Sequence, residues 1–261
     1  MLWRVLGARR LSQQASVDQG ERIAKYIARC GFASRREAEK LIEEGHVEID
    51  GRYEINLGDR VYKDTVVLLD GKIVRPLRRA RLFLYNKPPT EIVSTASPKK
   101  QLKTVFDSIT KNKGNNNLCL PRLIAVGRLD VTTQGLLILT SSPALANHLE
   151  SPSNGFDRVY LARVFGEIQE ERLRALTLGV SVKGVKYKPM SIEVRRERRR
   201  NSWVEVTLSE GKNREVRSAL EWAGFTVSRL IRTKFGPFEL ADIPMGVLRE
   251  ISIPTHLQKF K

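Results

Sequence analysis

Across residues 82–256 the chain alternates short β-branched and apolar runs with segments of helical pattern, and no other feature constrains its fold as much. Leu136–Thr140 reads as a short apolar strand and Phe156–Phe165 as a strand of large residues. Ser191–Arg196 and Trp203–Leu208 read as the arms of a hairpin, joined by the basic turn Arg198-Arg199-Arg200-Asn201-Ser202. Val227–Phe235 is a further strand. Between these runs, Ser142-Pro143 has the form of an N-cap followed by proline at the first helical position, opening a helix to about Glu150. Glu170–Leu178 reads as a helix stopped by Gly179, and Asn213 as the cap of a helix that runs to Trp222 and closes at Gly224. The class is α+β, with a mixed sheet in this larger domain.

A smaller α/β module precedes it over residues 20–74. A first helix over about 21–30 stops at Gly31, and Ser34-Arg35-Arg36-Glu37 is a capping box opening a second helix that ends near Gly45. Val47–Tyr53 reads as two strands joined by Asp50-Gly51, a hairpin signal. The stretch 75–81 carries four arginines and reads as a basic linker. The polar run Lys111–Asn117 reads as a loop.

Residues 1–17 hold Arg4, Arg9 and Arg10 among Leu2, Trp3, Val5, Leu6 and Leu11, with no acid before Asp18. This composition suits an organellar transit peptide, mitochondrial or, as the alternative, plastid, and equally a basic tail. The formal net charge of +17 favours a polyanionic partner, nucleic acid first. Cys30 and Cys119 stand far apart and His46, His148 and His256 are scattered, so the expectation is no metal, no disulfide and a reducing compartment. No run of 18 apolar residues occurs, and no membrane span is expected.

The chemistry has few candidates. The chain has no Walker loop, HExxH, G-x-S-x-G or dinucleotide fingerprint. What remains is Asp130 in Gly127-Arg128-Leu129-Asp130, which follows the apolar Leu123–Val126 and precedes the turn-like Val131–Gly135. A carboxylate on a loop between two apolar segments suits a reactive group, and equally a turn or cap residue.

Three stretches extend this reading: 21–61, with Ala33-Ser34-Arg35-Arg36-Glu37; 126–140, VGRLDVTTQGLLILT; and 210–233, EGKNREVRSALEWAGFTVSRLIRT. Together they resemble the RsuA/RluB family of ribosomal-RNA pseudouridine synthases, particularly its large-subunit branch. The resemblance runs from about residue 20 to 252. It implies an S4 RNA-binding module ahead of a mixed, mainly antiparallel synthase domain over 82–256, and an enzyme that needs no cofactor. It makes Asp130 the catalytic aspartate, Tyr160 the active-site tyrosine and Arg217 an arginine paired with the aspartate. Leu230 and Ile231 become the apolar wall beneath the target base. The family's Asn-Lys-Pro-x-Gly falls on Asn86-Lys87-Pro88-Pro89-Thr90, where Thr90 replaces the glycine.

These residue types suit the implied reaction. Isomerising uridine breaks an N-glycosidic bond, turns the base and forms a C–C bond. A carboxylate can serve as nucleophile, or as base at the sugar, without a metal. Arginine stays charged and can grip a carboxylate with two donors. A tyrosine face can stack on a base that has left its helix. Taken singly, Tyr160 reads equally as a cross-strand residue, and Arg214 and Arg217 as solvated helix charges. Arg128 could bind phosphate or fix its loop, and Lys87 could bind RNA or lie free on the surface. Arg35 and Arg36, with the basic sets at 75–81 and 195–200, are expected to touch RNA. The expected partner is ribosomal RNA, within a large-subunit assembly intermediate and its proteins. A ribosome-assembly factor that binds RNA through the same fold is the competing reading, and a synthase acting on transfer RNA or small RNAs a third.

Overall fold

The computed structural model describes residues 20–76, 79–95, 102–112, 120–196 and 200–260. The transit-peptide segment, Leu77 and Arg78 of the basic linker, residues 113–117 of the polar run and Arg198 and Arg199 of the basic turn lie outside these residues. Lys111 and Asn112 close a helix rather than open a loop. The chain divides into two compact units, with the boundary after Pro76.

The first unit runs β1 (Glu21–Arg22), α1 (Ile23–Arg29), α2 (Arg35–Glu43), β2 (Val47–Ile49), β3 (Arg60–Val61), β4 (Val67–Leu69) and β5 (Lys72–Ile73). The capping box forms as the sequence implies: the Glu37 N–H donates to Ser34 Oγ at 3.1 Å, and the Ser34 N–H donates to Glu37 Oε2 at 2.7 Å. Ile23, Ile27, Ala38, Ile42, Val47, Ile49 and Val67 close one core. The expected hairpin is only half present. Asp50 and Gly51 take the positive φ of a tight turn (48° and 82°), but the return arm shrinks to a single bridge, Ile49 to Arg52. Strand β2 pairs with β4 instead. Asp50 explains the choice, because its N–H donates to the Val66 carbonyl and its Oδ1 accepts the Val66 N–H at 2.8 Å. The turn is thereby tied to the later strand.

The second unit begins with β6 (Leu82–Lys87), α3 (Val105–Asn112), β7 (Ile124–Val126), β8 (Thr133–Thr140) and α4 (Pro143–Glu150). It continues with β9 (Arg158–Phe165), α5 (Glu170–Leu178), β10 (Val180–Val182), β11 (Val185–Tyr187), β12 (Ser191–Arg196) and β13 (Asn201–Leu208). It ends with α6 (Glu215–Trp222), β14 (Thr226–Phe235), β15 (Phe238–Glu239) and β16 (Leu248–Ile251). The main sheet has the order β12-β13-β9-β14-β8-β6-β16, with β7 on β8 and β15 on β14. Among its described pairings, β8 with β14 is parallel and the others are antiparallel.

Strand β8 is apolar almost without alternation because both its faces are covered. Leu137 and Leu139 meet Phe83, Tyr85, Val105 and Ile109 on one side. Leu136 and Ile138 meet Leu82, Leu84, Leu145 and Leu149 on the other. A third cluster joins β9, β13, α5 and α6 through Ala162, Val164, Val204, Val206, Leu176 and Leu220. The parallel seam needs a glycine. Gly135 has φ 98°, and a Cβ there would run into the Arg232 backbone of β14.

Helix α6 starts differently from expectation. Arg214, not Asn213, is its N-cap, in the left-handed region at φ 53° and without a side-chain cap bond. The first helical residue does the capping: Glu215 Oε2 accepts the Lys212 N–H at 2.9 Å, and the Glu215 N–H donates to the Lys212 carbonyl.

Candidate active site

Asp130 lies on the loop from β7 to β8, and the Thr133 N–H donates to its carbonyl at 3.0 Å to close a turn. Leu129 is buried in the cluster beneath β8 and α3, which anchors one side of the loop. The Asp130 side chain keeps 32% of its surface exposed. A loop between two buried strands can hold a polar group at the surface in a fixed place.

Lys87 secures the loop from below. It is not a surface residue: its exposure is 0%. Strand alternation puts it on the face of Tyr85 and Phe83, and its Nζ donates to the carbonyls of Pro88, Val131 and Thr133 at 2.9, 3.2 and 3.0 Å. Burial pushes its pKa down to about 8, against the opposing pull of Glu91 and Asp130. Glu91 is itself buried and accepts the Tyr85 hydroxyl at 2.9 Å. The Thr90 N–H adds a second donor to the Val131 carbonyl at 2.9 Å. Thr90 sits at φ 78°, the left-handed region in which a β-branched residue is strained and a glycine is not.

The expected pairing of Arg217 with Asp130 is replaced by Arg214. Nη1 of Arg214 lies 3.9 Å from Asp130 Oδ2, and its side chain is 49% exposed. Arg217 is buried, donates to the Val227 carbonyl at 3.0 Å and reaches the Thr132 carbonyl at 3.4 Å. Its Nε has no hydrogen-bond partner. The reason is the turn at Arg214: the left-handed residue lies just outside the helix and points its side chain at the loop, while Arg217 faces inward from the first turn. Desolvation and the Arg214 charge lower the Arg217 pKa, and Asp130 opposes them, so Arg217 contributes charge to the site without touching the carboxylate. Arg128, two residues before Asp130 on the same loop, is exposed.

Tyr160 occupies β9 between Val206 of β13 and Arg232 of β14, half-buried against two core clusters. Alternation assigns its strand neighbours. Leu230 pairs with Ala162 and shares the face of Tyr160; Ile231 pairs with Leu161 and points to the opposite face. Ile231 therefore leaves the expected apolar wall, and Leu230 lies in it, almost wholly buried at 4%. Three buried polar residues went unnoticed in the sequence. Arg232 donates from Nε to the Leu136 carbonyl at 2.8 Å and leaves its Nη2 buried without a partner. Arg158 donates to the Phe156 and Ser209 carbonyls at 2.8 Å each. Glu215 is buried at the start of α6. Their signal was a charged residue at a core-facing position, legible only once the faces are known.

Arg35 and Arg36 are exposed on the first turn of α2 in the other unit. Among the described residues no three His, Cys, Asp or Glu side chains gather as a metal site, and no helix is long and apolar enough to cross a membrane. The arrangement offers an accessible carboxylate, an exposed arginine 3.9 Å from it, a second exposed arginine two residues before it, and a tyrosine on the adjoining sheet.

Comparison with known proteins shows the family and the fold. Residues 81–222 match the RNA pseudouridylate synthase family, and residues 21–61 match the S4 domain. An RNA pseudouridine synthase of Rickettsia felis is 38% identical over 232 residues, 89% of this chain and 97% of that protein. A ribosomal large subunit pseudouridine synthase B of Salmonella typhimurium is 39% identical over 240 residues, 89% of this chain and 80% of that one. The crystal structure of a pseudouridylate synthase shares the fold with a TM-score of 0.62 at 23% identity, covering 92% of this chain and all of that one. The chain belongs to the RNA pseudouridylate synthase family and carries an S4 domain ahead of the synthase fold.

Proposed function

We propose that this synthase converts uridine to pseudouridine in large-subunit ribosomal RNA, with Asp130 as its nucleophile. The observation that carries the assignment is the accessible Asp130 carboxylate, held by the Lys87-gripped loop and facing Arg214 at 3.9 Å. The carboxylate engages the uridine, the bond from the sugar to N1 breaks, and C5 of the turned base takes N1's place. The proton lost from C5 is balanced by the one gained at N1, so the reaction consumes no co-reactant. Tyr160 supplies an aromatic face for the flipped base, and Leu230 supports the apolar surface on the same side of the sheet. Arg128 and Arg214 bind flanking phosphates, and the S4 domain, with Arg35 and Arg36, adds RNA affinity. The substrate class is supported by the large-subunit synthase of Salmonella typhimurium at 39% identity. The acid-poor, arginine-bearing first 17 residues support action in a mitochondrion.

The test is Asp130→Asn with ribosomal RNA from organelles of cells that lack the protein. The expected result is loss of pseudouridine with RNA binding and thermal stability unchanged. Full product from this variant ends the assignment. A pseudouridine map of organellar RNA with and without the protein names the target, and rescue of ribosome assembly by Asp130→Asn would favour an assembly role.

A further inference from the structure

Two buried carboxylates stand beside the turn that delivers Arg214. Glu210 and Glu215 are 7% and 4% exposed, and both close on Lys212, one on its ammonium and the other on its N–H. Three of their four oxygens are accounted for. Glu210 Oε1 accepts the Lys188 N–H at 2.7 Å, and Oε2 lies 2.9 Å from the Lys212 ammonium. Glu215 Oε2 accepts the Lys212 N–H. Glu215 Oε1 is buried and has no donor. Two ionised carboxylates buried on one residue, out of water, repel strongly; one proton between them turns repulsion into a hydrogen bond.

Resting on the function proposed above, we infer that Glu215 is a positioning residue: it carries a proton donated to Glu210, and this one-proton pair holds the Lys212–Arg214 turn so that Arg214 meets Asp130. The charges around the pair decide which partner keeps the proton. Lys212 stands on Glu210 and favours its ionised form. Arg158 of β9 lies against the turn at Gly211, where its charge favours an ionised Glu215 and is itself opposed by Arg232 and supported by Tyr160 and Asp157. The Lys212 ammonium also lies over the Tyr187 ring, 5.8 Å from its centre, and donates to the Lys186 carbonyl. Burial and the Glu210 carboxylate push the Glu215 pKa up to about 7, whereas the Glu210 carboxyl is held below its usual range. When the proton leaves, the pair repels, and the segment that opens is 210–215, with the left-handed Arg214 at its end.

The test uses the full chain and two substitutions. Glutamine keeps a donor where the proton was, so E215Q should rescue what E215A loses, the latter costing roughly tenfold or more in kcat/KM through misplacement of Arg214. Wild-type activity should fall as pH passes about 7, and in E215Q this fall should vanish, leaving the higher limit set by Lys87 at about 8. Infrared spectroscopy at slightly acid pH reads the pair without turnover: the carbonyl stretch of a protonated carboxylic acid should be present in the wild type and absent from E215Q. The inference is overturned if the band survives in E215Q, if E215Q is as impaired as E215A, or if it keeps the wild-type decline near pH 7. Asp130→Asn separates the two readings, because an active D130N removes the proposed nucleophile while the infrared result still reports on the pair.

Discussion

The buried Lys87 ammonium donates to the main-chain carbonyl of Val131, the residue that follows Asp130, at 3.2 Å. The same ammonium holds Pro88 and Thr133, so one side chain closes the end of β6 onto the loop that presents the carboxylate. Lys87→Met should therefore take this donor from three carbonyls, of which Val131 alone keeps the Thr90 N–H. Each unsatisfied buried group costs about 1–3 kcal/mol. Denaturant unfolding should show a loss of several kcal/mol, with pseudouridine formation falling alongside; a variant that keeps wild-type stability contradicts the clamp.

Thr90 makes the opposite prediction. Its N–H also serves the Val131 carbonyl, but its φ of 78° strains a β-branched residue. Thr90→Gly should relieve about 1–2 kcal/mol of left-handed strain, less the entropy glycine loses on folding, for a small net gain. A raised midpoint in thermal unfolding is the expected outcome, and a lowered one would falsify the strain.

The two arginines of α6 should separate cleanly. Arg214 is 49% exposed, so Arg214→Ala should change stability by no more than about 0.5 kcal/mol while reducing product formation. Arg217 is buried and bonded to Val227, so Arg217→Ala should cost about 1–3 kcal/mol of stability as well as activity. Melting curves and turnover measured side by side distinguish them; equal stability loss in both removes the distinction.

Gly135→Ala should disturb the parallel seam. The added methyl would press on the Arg232 backbone and stand 2.9 Å from Ile231 Cγ2, at a φ of 98°. Gly184, at φ 81° with open space around it, is the control for backbone cost alone. Gly135→Ala should lose more than the roughly 1–2 kcal/mol expected of Gly184→Ala. Matching losses in the two variants would mean that the seam tolerates the methyl.

The pH dependence of stability has a defined sign at Glu215. Its pKa rises from 4.5 to about 7 on folding, so the folded chain binds the extra proton in that window. The contribution is full below about 4.5 and is lost as pH rises to about 7. E215Q should remove this slope, so the stability of the variant relative to the wild type should rise across the same interval. A constant difference from pH 4.5 to 7 would show that Glu215 does not titrate there.

Much of this protein was legible in its residues. The capping box at Ser34, the proline-led helix at Ser142-Pro143, the strands around Asp130 and the hairpin of β12 and β13 are local, set by hydrogen bonds and periodicity within a few residues. The loop position of Asp130 followed in the same way. Tertiary structure decided what depends on partners distant in sequence. Lys87 looks like a surface base until three carbonyls, two of them more than 40 residues away, enclose its ammonium. Arg214 rather than Arg217 meets Asp130 because one left-handed residue rotates the entry to α6. Leu230 and Ile231 take opposite faces as neighbours in any strand do, but only the register of β14 on β9 makes Leu230 the one that shares the face of Tyr160. Glu210 and Glu215 become a buried pair on Lys212 only through the turn that leads into α6. Local backbone geometry repeats wherever its sequence occurs; burial, register and charge pairing exist only when the sheet brings separate segments together.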